Sequence, residues 1–389
     1  MKLGLIGFGQ AGGKIVDAFL DYDVGTPGEF VRSAVAVNTA TTDLQGLSHV
    51  PDDHRVLIGQ TRVKGHGVGA DNDLGAEIAS EAIGEIQGAV DSMPIHDVEA
   101  FLIVAGLGGG TGSGGAPILA RHLKQVYNEP VYGLGVLPAT DEGGIYTLNA
   151  ARSLQSFVRE TDNMLAFDND AWRKAGESMV EGYARLNDEL VRRFGILFSA
   201  GEFVPGEDVG QNVVDSSEIV NTLAAGGVST VGYAAADLER NRGLLSRFRN
   251  DDGSTKDVSD RTTRITSLVR QATAGRLTLP CEVESAERAL LVVSGPPEEL
   301  DRKGIESARN WLEEQTDSLE VRGGDYPIPG EGRVAVSVLL SGVTDVPRVK
   351  ALQRIAVETK DAMSENRERS RDELQGLIDD DGDELQPLF

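Results

Sequence analysis

Short apolar runs punctuated by glycine-rich and polar stretches dominate the first half of the chain. Residues 3–6, 34–37, 101–105 and 131–136 are apolar runs of strand length, too short to cross a membrane as helices. Helical or loop segments separate them, which predicts a parallel sheet covered on both faces, an α/β architecture. The period then changes. From about Glu181 to Phe198 the apolar positions Tyr183, Leu186, Leu190, Phe194 and Leu197 recur near helical spacing and predict one long helix. Pro205, Gly206 and Gly210 mark a break after it. Strands near 289–293 and 334–340, with helices near 303–314 and 347–365, predict a smaller α+β second half.

From Ser364 the chain reads Ser-Glu-Asn-Arg-Glu-Arg-Ser-Arg-Asp-Glu and later Asp379-Asp-Asp-Gly-Asp-Glu384, too charged to bury. A disordered acidic tail is expected, whose last residues, Leu385-Gln-Pro-Leu-Phe389, offer an apolar end to unidentified partners. The expected organisation is 1–180, a first α/β domain; 181–205, a central helix; 206–363, a second domain; and 364–389, the tail.

At 389 residues, 40% hydrophobic, the chain is long enough to bury two sizeable cores. Its formal charge of −25 argues against nucleic acid and anionic membranes as general partners, because both require clustered Lys and Arg. Only nine of the 37 basic residues are Lys, against 62 acids, a balance resembling cytosolic proteins of extreme halophiles. In molar salt the Debye length falls to about 3 Å, so the self-repulsion is screened. The single cysteine, Cys281, rules out an intramolecular disulfide and reads as a small apolar residue. Five histidines (49, 54, 66, 96 and 122) show no ligand spacing, so no structural transition metal is expected. Met1-Lys-Leu-Gly-Leu-Ile6 leads into a glycine turn rather than a leader, so a cytoplasmic location without a transmembrane segment is expected.

Three glycine loops carry the candidate chemistry. Ala105-Gly-Leu-Gly-Gly-Gly-Thr-Gly-Ser-Gly-Gly115 joins a strand to a helix expected at Ala116, with Pro117 in its first turn. Glycines let backbone N–H groups approach an anion, the helix start adds partial positive charge, and Thr111 and Ser113 add hydroxyls. No Gly-x-x-x-x-Gly-Lys-[Ser/Thr] occurs, so the cradle is not a Walker loop. After the first strand, Gly7-Phe-Gly9-Gln-Ala-Gly12-Gly13 would also suit a dinucleotide. The second strand, however, ends in Asn38-Thr39 rather than the acid that holds a dinucleotide ribose. The third loop is Gly65-His-Gly67-Val-Gly69-Ala-Asp71-Asn-Asp-Leu-Gly75, which alone is also an ordinary turn.

Spelled Gly-Gly-Gly-Thr-Gly-Ser-Gly from Gly108 to Gly114, the first of these loops resembles that of the tubulin/FtsZ superfamily, GTPases that polymerise into filaments. The resemblance implies a Rossmann-like GTPase domain, a long central helix and a smaller second domain. It assigns Gly9, Gln10, Ala11 and Gly12, Asn38 of Asn38-Thr-Ala-Thr-Thr-Asp43, and Gly108, Gly109, Gly110, Thr111, Gly112, Ser113 and Gly114 to GTP or GDP. Gly69, Ala70 and Asp71 match the loop near the γ-phosphate and its Mg²⁺, and Glu142 matches the ribose loop, where Tyr146 stands near a position FtsZ commonly fills with Arg. Asn169, in Asp168-Asn169-Asp170, and Tyr183 and Asn187, in Tyr183-Ala-Arg-Leu-Asn187, match tubulin residues that read and stack on guanine. By periodicity alone Tyr183 also fits a core position.

Asp215-Ser-Ser-Glu218 opens a helix, and by itself it is a capping box. The resemblance implies instead that these acids are catalytic: they activate water at the nucleotide of the next subunit, so that hydrolysis follows head-to-tail self-assembly. The FtsZ-like loops, tubulin-like Tyr183, Asn187 and Glu218, and acidic composition together are similar to the haloarchaeal CetZ group, tubulin-like proteins of cell-shape control. An FtsZ-type division-ring protein and a nucleotide-binding regulator that never polymerises remain the alternatives.

Overall fold

The computed structural model describes residues 1–26, 28–174, 176, 179–200, 202, 213–238, 254–355, 357–359 and 369–371. The break at Pro205, Gly206 and Gly210 and nearly all of the expected tail lie outside these residues.

Six strands run parallel: β1 (Leu3–Phe8), β2 (Val31–Asn38), β3 (Arg55–Leu57), β4 (Ala100–Gly106), β5 (Val131–Leu137) and β6 (Asn163–Asp168). Four more, β7 (Val228–Asp237), β8 (Arg288–Gly295), β9 (Val321–Pro327) and β10 (Arg333–Ser341), continue the same sheet. Its order is β3-β2-β1-β4-β5-β6-β7-β10-β8-β9. The two parts join where β6 pairs in parallel with β7 through Met164–Val228 and Leu165–Ser229. Beyond the joint β10 is antiparallel to β7 and β8, while β8 and β9 are parallel. The second half is thus α+β in character yet continuous with the first.

The helices are α1 (Gly9–Val24), α2 (Thr41–Gln45), α3 (Gln60–Val63), α4 (Asn72–Glu81), α5 (Ile83–Asp91), α6 (Thr111–Val126), α7 (Gly144–Glu160), α8 (Asn169–Trp172), α9 (Met179–Ser199), α10 (Ser216–Leu223), α11 (Ser254–Ala274) and α12 (Arg302–Thr316). Two hydrophobic cores form, divided by the sheet rather than by the halves of the chain. Ile6 and Phe8 of β1 and Leu291 and Val293 of β8 enter one; Leu3 and Leu5, Leu290 and Val292 enter the other. Strand side chains alternate between faces, so one continuous sheet sorts them this way.

The apolar stripe of α9 behaves as its spacing predicts. Leu186, Leu190, Phe194 and Leu197 are buried, and Phe198 meets Phe30 and Phe19 at ring separations of 5.9 and 6.2 Å. Burying each such ring stabilises by about 2–3 kcal/mol. The start of α6 differs from expectation: the helix begins at Thr111, not Ala116, so half of the glycine loop is helical and Pro117 lies inside it. Proline has no N–H for the Ser113 carbonyl four residues back. Ser153 Oγ of α7 supplies the missing donor at 2.8 Å, which lets the helix continue through Pro117.

Candidate nucleotide-binding site

A cavity of about 530 Å³ opens beyond the carboxyl ends of β1, β2, β4, β5 and β6, where ligands bind in parallel α/β sheets. Two 16-residue helices, α1 and α6, start at its wall. Neither has a side-chain N-cap bond, and neither carries an acid in its first turn. By contrast α4, α10 and α12 are capped by Asp71, Asp215 and Asp301. Uncapped first-turn N–H groups, reinforced by the helix dipole, make an anion-binding wall. Gly9 enters α1 with φ 75°, a conformation costly for other residues.

Of the expected contacts, Gly9, Gln10, Ala11, Asn38, Gly69, Ala70, Gly108, Gly109, Gly110, Thr111, Gly112, Glu142, Asn169, Tyr183 and Asn187 all line this one cavity. Four do not. A Cβ on Gly12 would lie 2.1 Å from the Val104 carbonyl, so this residue lets α1 press on β4. Asp71 accepts from Leu74 N at 3.0 Å and caps α4. Buried Ser113 turns its hydroxyl to the Gly109 carbonyl, and Gly114 faces the α4 backbone at Asn72. These four hold the cradle in shape from behind.

Hydrogen bonds fix the loops around Gln10, Asn38 and Thr111. Asp43 accepts from Gln10 Nε2 at 3.0 Å and from Asn38 Nδ2 at 3.2 Å, setting both amides. Asn38 Oδ1 accepts from Thr39 N and Ala40 N, and the Thr39 and Thr111 hydroxyls meet at 2.7 Å. The third loop runs through left-handed backbone at Gly65, Gly67, Gly69 and Ala70, the last with φ 63°. Strain at a non-glycine residue of this kind persists only where the surroundings impose it. Asn149 of α7 does so, donating to Ala70 O at 2.7 Å and Gly108 O at 3.0 Å.

Motif reasoning missed Asn149, because it is one buried amide in an ordinary amphipathic helix. It also missed Lys14 and His66, which line the cavity. Lys14 sits one turn into α1 and is exposed. The glycine loop contains no lysine, but the cavity does.

The opposite side is built differently. Asn169 is the first residue of α8, 7% exposed, and Asp168 caps that short helix through Asp170 N at 3.2 Å. Thr140 donates to Asp170 Oδ1 from its amide at 2.9 Å and its hydroxyl at 2.7 Å. Glu142 accepts from Ala139 N at 2.7 Å and from the Tyr183 hydroxyl. Tyr183 and Asn187 stand one turn apart on α9, and Tyr183 is half-buried at the cavity wall rather than wholly in the core. Burial and then the Glu142 charge push the Tyr183 phenol up to about 12. Burial pushes the Asp168 carboxyl up to about 6, outweighing the neighbouring Arg348 charge.

Asp215 and Glu218 are elsewhere. Asp215 caps α10 through Glu218 N at 3.0 Å, so the capping role is realised. The Ser217 hydroxyl holds the Asp215 carboxyl below its usual range. Burial, followed by the Asp215 charge, holds Glu218 above its own. Ser216, beside them, bonds Glu99 at 3.0 Å, directly before β4, whereas Gly106 at the far end of β4 lines the cavity. The length of that seven-residue strand, roughly 20 Å, therefore separates the acids from the cavity within one chain.

Among the described residues no cluster of three or more His, Cys, Asp or Glu gathers for a metal ion, and no helix is long and apolar enough to cross a membrane.

Residues 2–177 match the tubulin/FtsZ family GTPase domain, and residues 176–358 match the tubulin-like CetZ C-terminal domain. Tubulin-like protein CetZ1 of Haloferax volcanii is 65% identical over 374 residues, 95% of either chain. The GDP-bound CetZ1 monomer from that organism superposes with a TM-score of 0.83 at 63% identity, over 92% of this chain and 100% of that one. The GTPγS-bound CetZ2 protofilament, also from Haloferax volcanii, superposes with a TM-score of 0.83 at 44% identity, over 94% of this chain and 100% of that one. With a tubulin/FtsZ GTPase domain followed by a CetZ C-terminal domain along a continuous sheet, the chain belongs to the CetZ group of the tubulin/FtsZ family.

Proposed function

We propose that this protein binds GTP in the cavity, hydrolyses it to GDP and phosphate, and polymerises head to tail, with Asp215 and Glu218 of one subunit completing the site of the next. The observation that carries this is the placement of the acids: at the start of α10, beside the Ser216–Glu99 bond at the opposite end of β4, neither of them lines its own cavity. A heterologous contact of this kind repeats without closing and yields a filament.

In the bound state the first-turn N–H groups of α1 and α6, with Gly9, Gln10, Ala11 and Gly108 to Gly112, take the phosphates, and Gly69 and Ala70 close over the γ end. Asn169 and Asn187 read the guanine edge, since an amide both donates and accepts, while Tyr183 stacks on the base and Glu142 sits at the ribose. Mg²⁺, if it enters with the nucleotide, would be held mostly by phosphate oxygens and water and would supply charge neutralisation there. Glu218 orients the attacking water and takes its proton; its raised carboxyl is a better base than an ordinary glutamate. The glycine cradle stabilises charge on the transferred group.

GTP turnover and light scattering in high KCl with Mg²⁺, measured together over a protein dilution series with ATP and NAD as controls, test this. GTP-specific turnover per molecule should rise with scattering above a threshold concentration; turnover independent of concentration would remove activation by the neighbouring subunit. For the cell we propose control of shape rather than a division ring. A Glu218→Ala chain expressed in an archaeal host should alter shape with division intact, and blocked division would reverse the assignment.

A further inference from the structure

The side of the cavity given to the base is assembled from across the whole chain. Asn169 belongs to a four-residue helix that cannot hold itself in place, since one turn closes almost no hydrogen bonds of its own. Segments beyond β7 fix it: Asp168 N donates to Thr278 O at 2.8 Å, and Trp172 Nε1 donates to Leu277 O at 3.1 Å. Arg348, after β10 in the helical stretch 347–355, adds a buried charge to this scaffold. Its Nη2 donates to Pro138 O at 2.7 Å and its Nε lies 3.3 Å from Asp168 Oδ1, with both side chains at least nine-tenths buried.

Those two acceptors start the two walls around the base. Pro138 O precedes the turn in which Glu142 holds Ala139 N and meets Tyr183; Asp168 Oδ1 caps the helix that begins with Asn169. Resting on the assignment of Asn169 and Tyr183 to guanine, we propose that Arg348 is a positioning residue for base selection, bracketing the Pro138 and Asp168 corners so that the Asn169 amide meets guanine in one orientation. A buried ion pair adds little net stability, because desolvation offsets attraction, so this pair is better explained by geometry than by stabilisation. Arginine suits the task where lysine does not, since its planar fork reaches two oxygens in fixed directions. The bracket comes from the CetZ C-terminal domain, so guanine binding and the seating of that domain on the sheet are linked reciprocally.

The test is calorimetric titration of GDP and inosine diphosphate, which lacks guanine's exocyclic amino group, into the full chain in high KCl below the assembly threshold. The readout is the ratio of the two affinities, which a general loss of stability does not move. Arg348→Ala should lower the GDP preference about tenfold, the worth of roughly one hydrogen bond, and Arg348→Lys, which reaches one oxygen, should lower it by an intermediate factor. Asn169→Ala, which removes the amide that Arg348 positions and leaves Asn187, should lower the preference at least as far as Arg348→Ala does. A native ratio in Arg348→Ala, or in Arg348→Lys where the alanine chain fails to fold, overturns the role of Arg348 so long as Asn169→Ala lowers the preference. A native ratio in Asn169→Ala overturns the base assignment itself.

Discussion

Deleting one hydroxyl, in Ser153→Ala, should destabilise the protein by about 2 kcal/mol although Ser153 does not line the cavity. The Ser113 carbonyl is inside α6, its regular donor would be the N–H of residue 117, and residue 117 is proline. Ser153 Oγ donates to that carbonyl instead, with Ser113 2% and Ser153 1% exposed, so water cannot replace it. Leaving a buried acceptor unpaired costs about 1–3 kcal/mol. The companion change Pro117→Ala restores the helical N–H, so in that background the loss of the Ser153 hydroxyl should cost less than about 0.5 kcal/mol. The cycle should therefore close on a coupling of about 1.5 kcal/mol. Urea unfolding of the four chains in high KCl, followed by circular dichroism, measures it. Equal costs in the two backgrounds, or a native urea midpoint for Ser153→Ala, would refute the substitution of a side-chain donor for a helical one.

Glu218→Ala should keep GTP affinity within about twofold while turnover falls at least a hundredfold, the scale of a lost general base; parallel loss of binding in a titration would remove the residue from catalysis. Gly12→Ala should destabilise by about 1–3 kcal/mol or more, since its Cβ meets the Val104 carbonyl at 2.1 Å and neither backbone can yield, and a native unfolding midpoint would contradict the packing. Lys14→Glu should weaken GTP more than GDP and GDP more than GMP, by about tenfold at most in molar KCl; equal weakening of all three would place the ammonium away from the phosphates. Asp168 carries a pH signature. Its carboxyl titrates near 6 folded against an ordinary 3.8, so the folded chain holds the proton more tightly, and the resulting stability, about 2–3 kcal/mol, is full below pH 4 and lost as pH rises through 6. Asp168→Asn should flatten that interval of the stability curve, and an unchanged slope would sink the attribution.

Of the first-half strands, β1, β2, β4 and β5 were legible because each lies between two neighbours and carries an unbroken apolar run, whereas β3, three residues at the sheet edge, and β6, which opens and closes on polar Asn163 and Asp168, were not. The second half was less so, for physical reasons that differ by element. β9, Val-Arg-Gly-Gly-Asp-Tyr-Pro, ends the sheet order, with β8 on one side and an isolated bridge from Val213 on the other, and carries glycines and charges where an interior strand carries valines. α11 is mostly polar and, among its described side chains, buries an apolar face at Ile265, Leu268, Val269 and Ala272. The onset of α6 was misplaced because glycines read as loop; nothing local in Gly-Ser-Gly-Gly announces that packing against α4 and a hydroxyl from α7 will make it helical.

The site divides along the same line. Its phosphate wall is made by helix beginnings and the turns just before them, so each contact is encoded within a few residues and motifs reveal it: Gly9 to Ala11 and Gly108 to Gly112 needed no partner to be recognised. Its base wall depends on contacts that cross the chain, Arg348 to Pro138 over 210 residues and Trp172 to Leu277 over 105, and no spacing rule connects such positions. On the proposed assignment, the phosphate contacts belong to the first half, whereas the shape of the wall at Asn169 depends on contacts from the second half. That half is joined through the two residue pairs between β6 and β7, and buried Asn163 bridges the joint, donating to Leu223 O, Gly226 O and Ser341 Oγ. A small rotation there would leave the phosphate cradle intact while moving the Asn169 corner and α10 together. On the proposed assignment, the second half both contacts the Asn169 corner and carries the acids of α10, so a shift in its seating would reach the nucleotide and the subunit contact together.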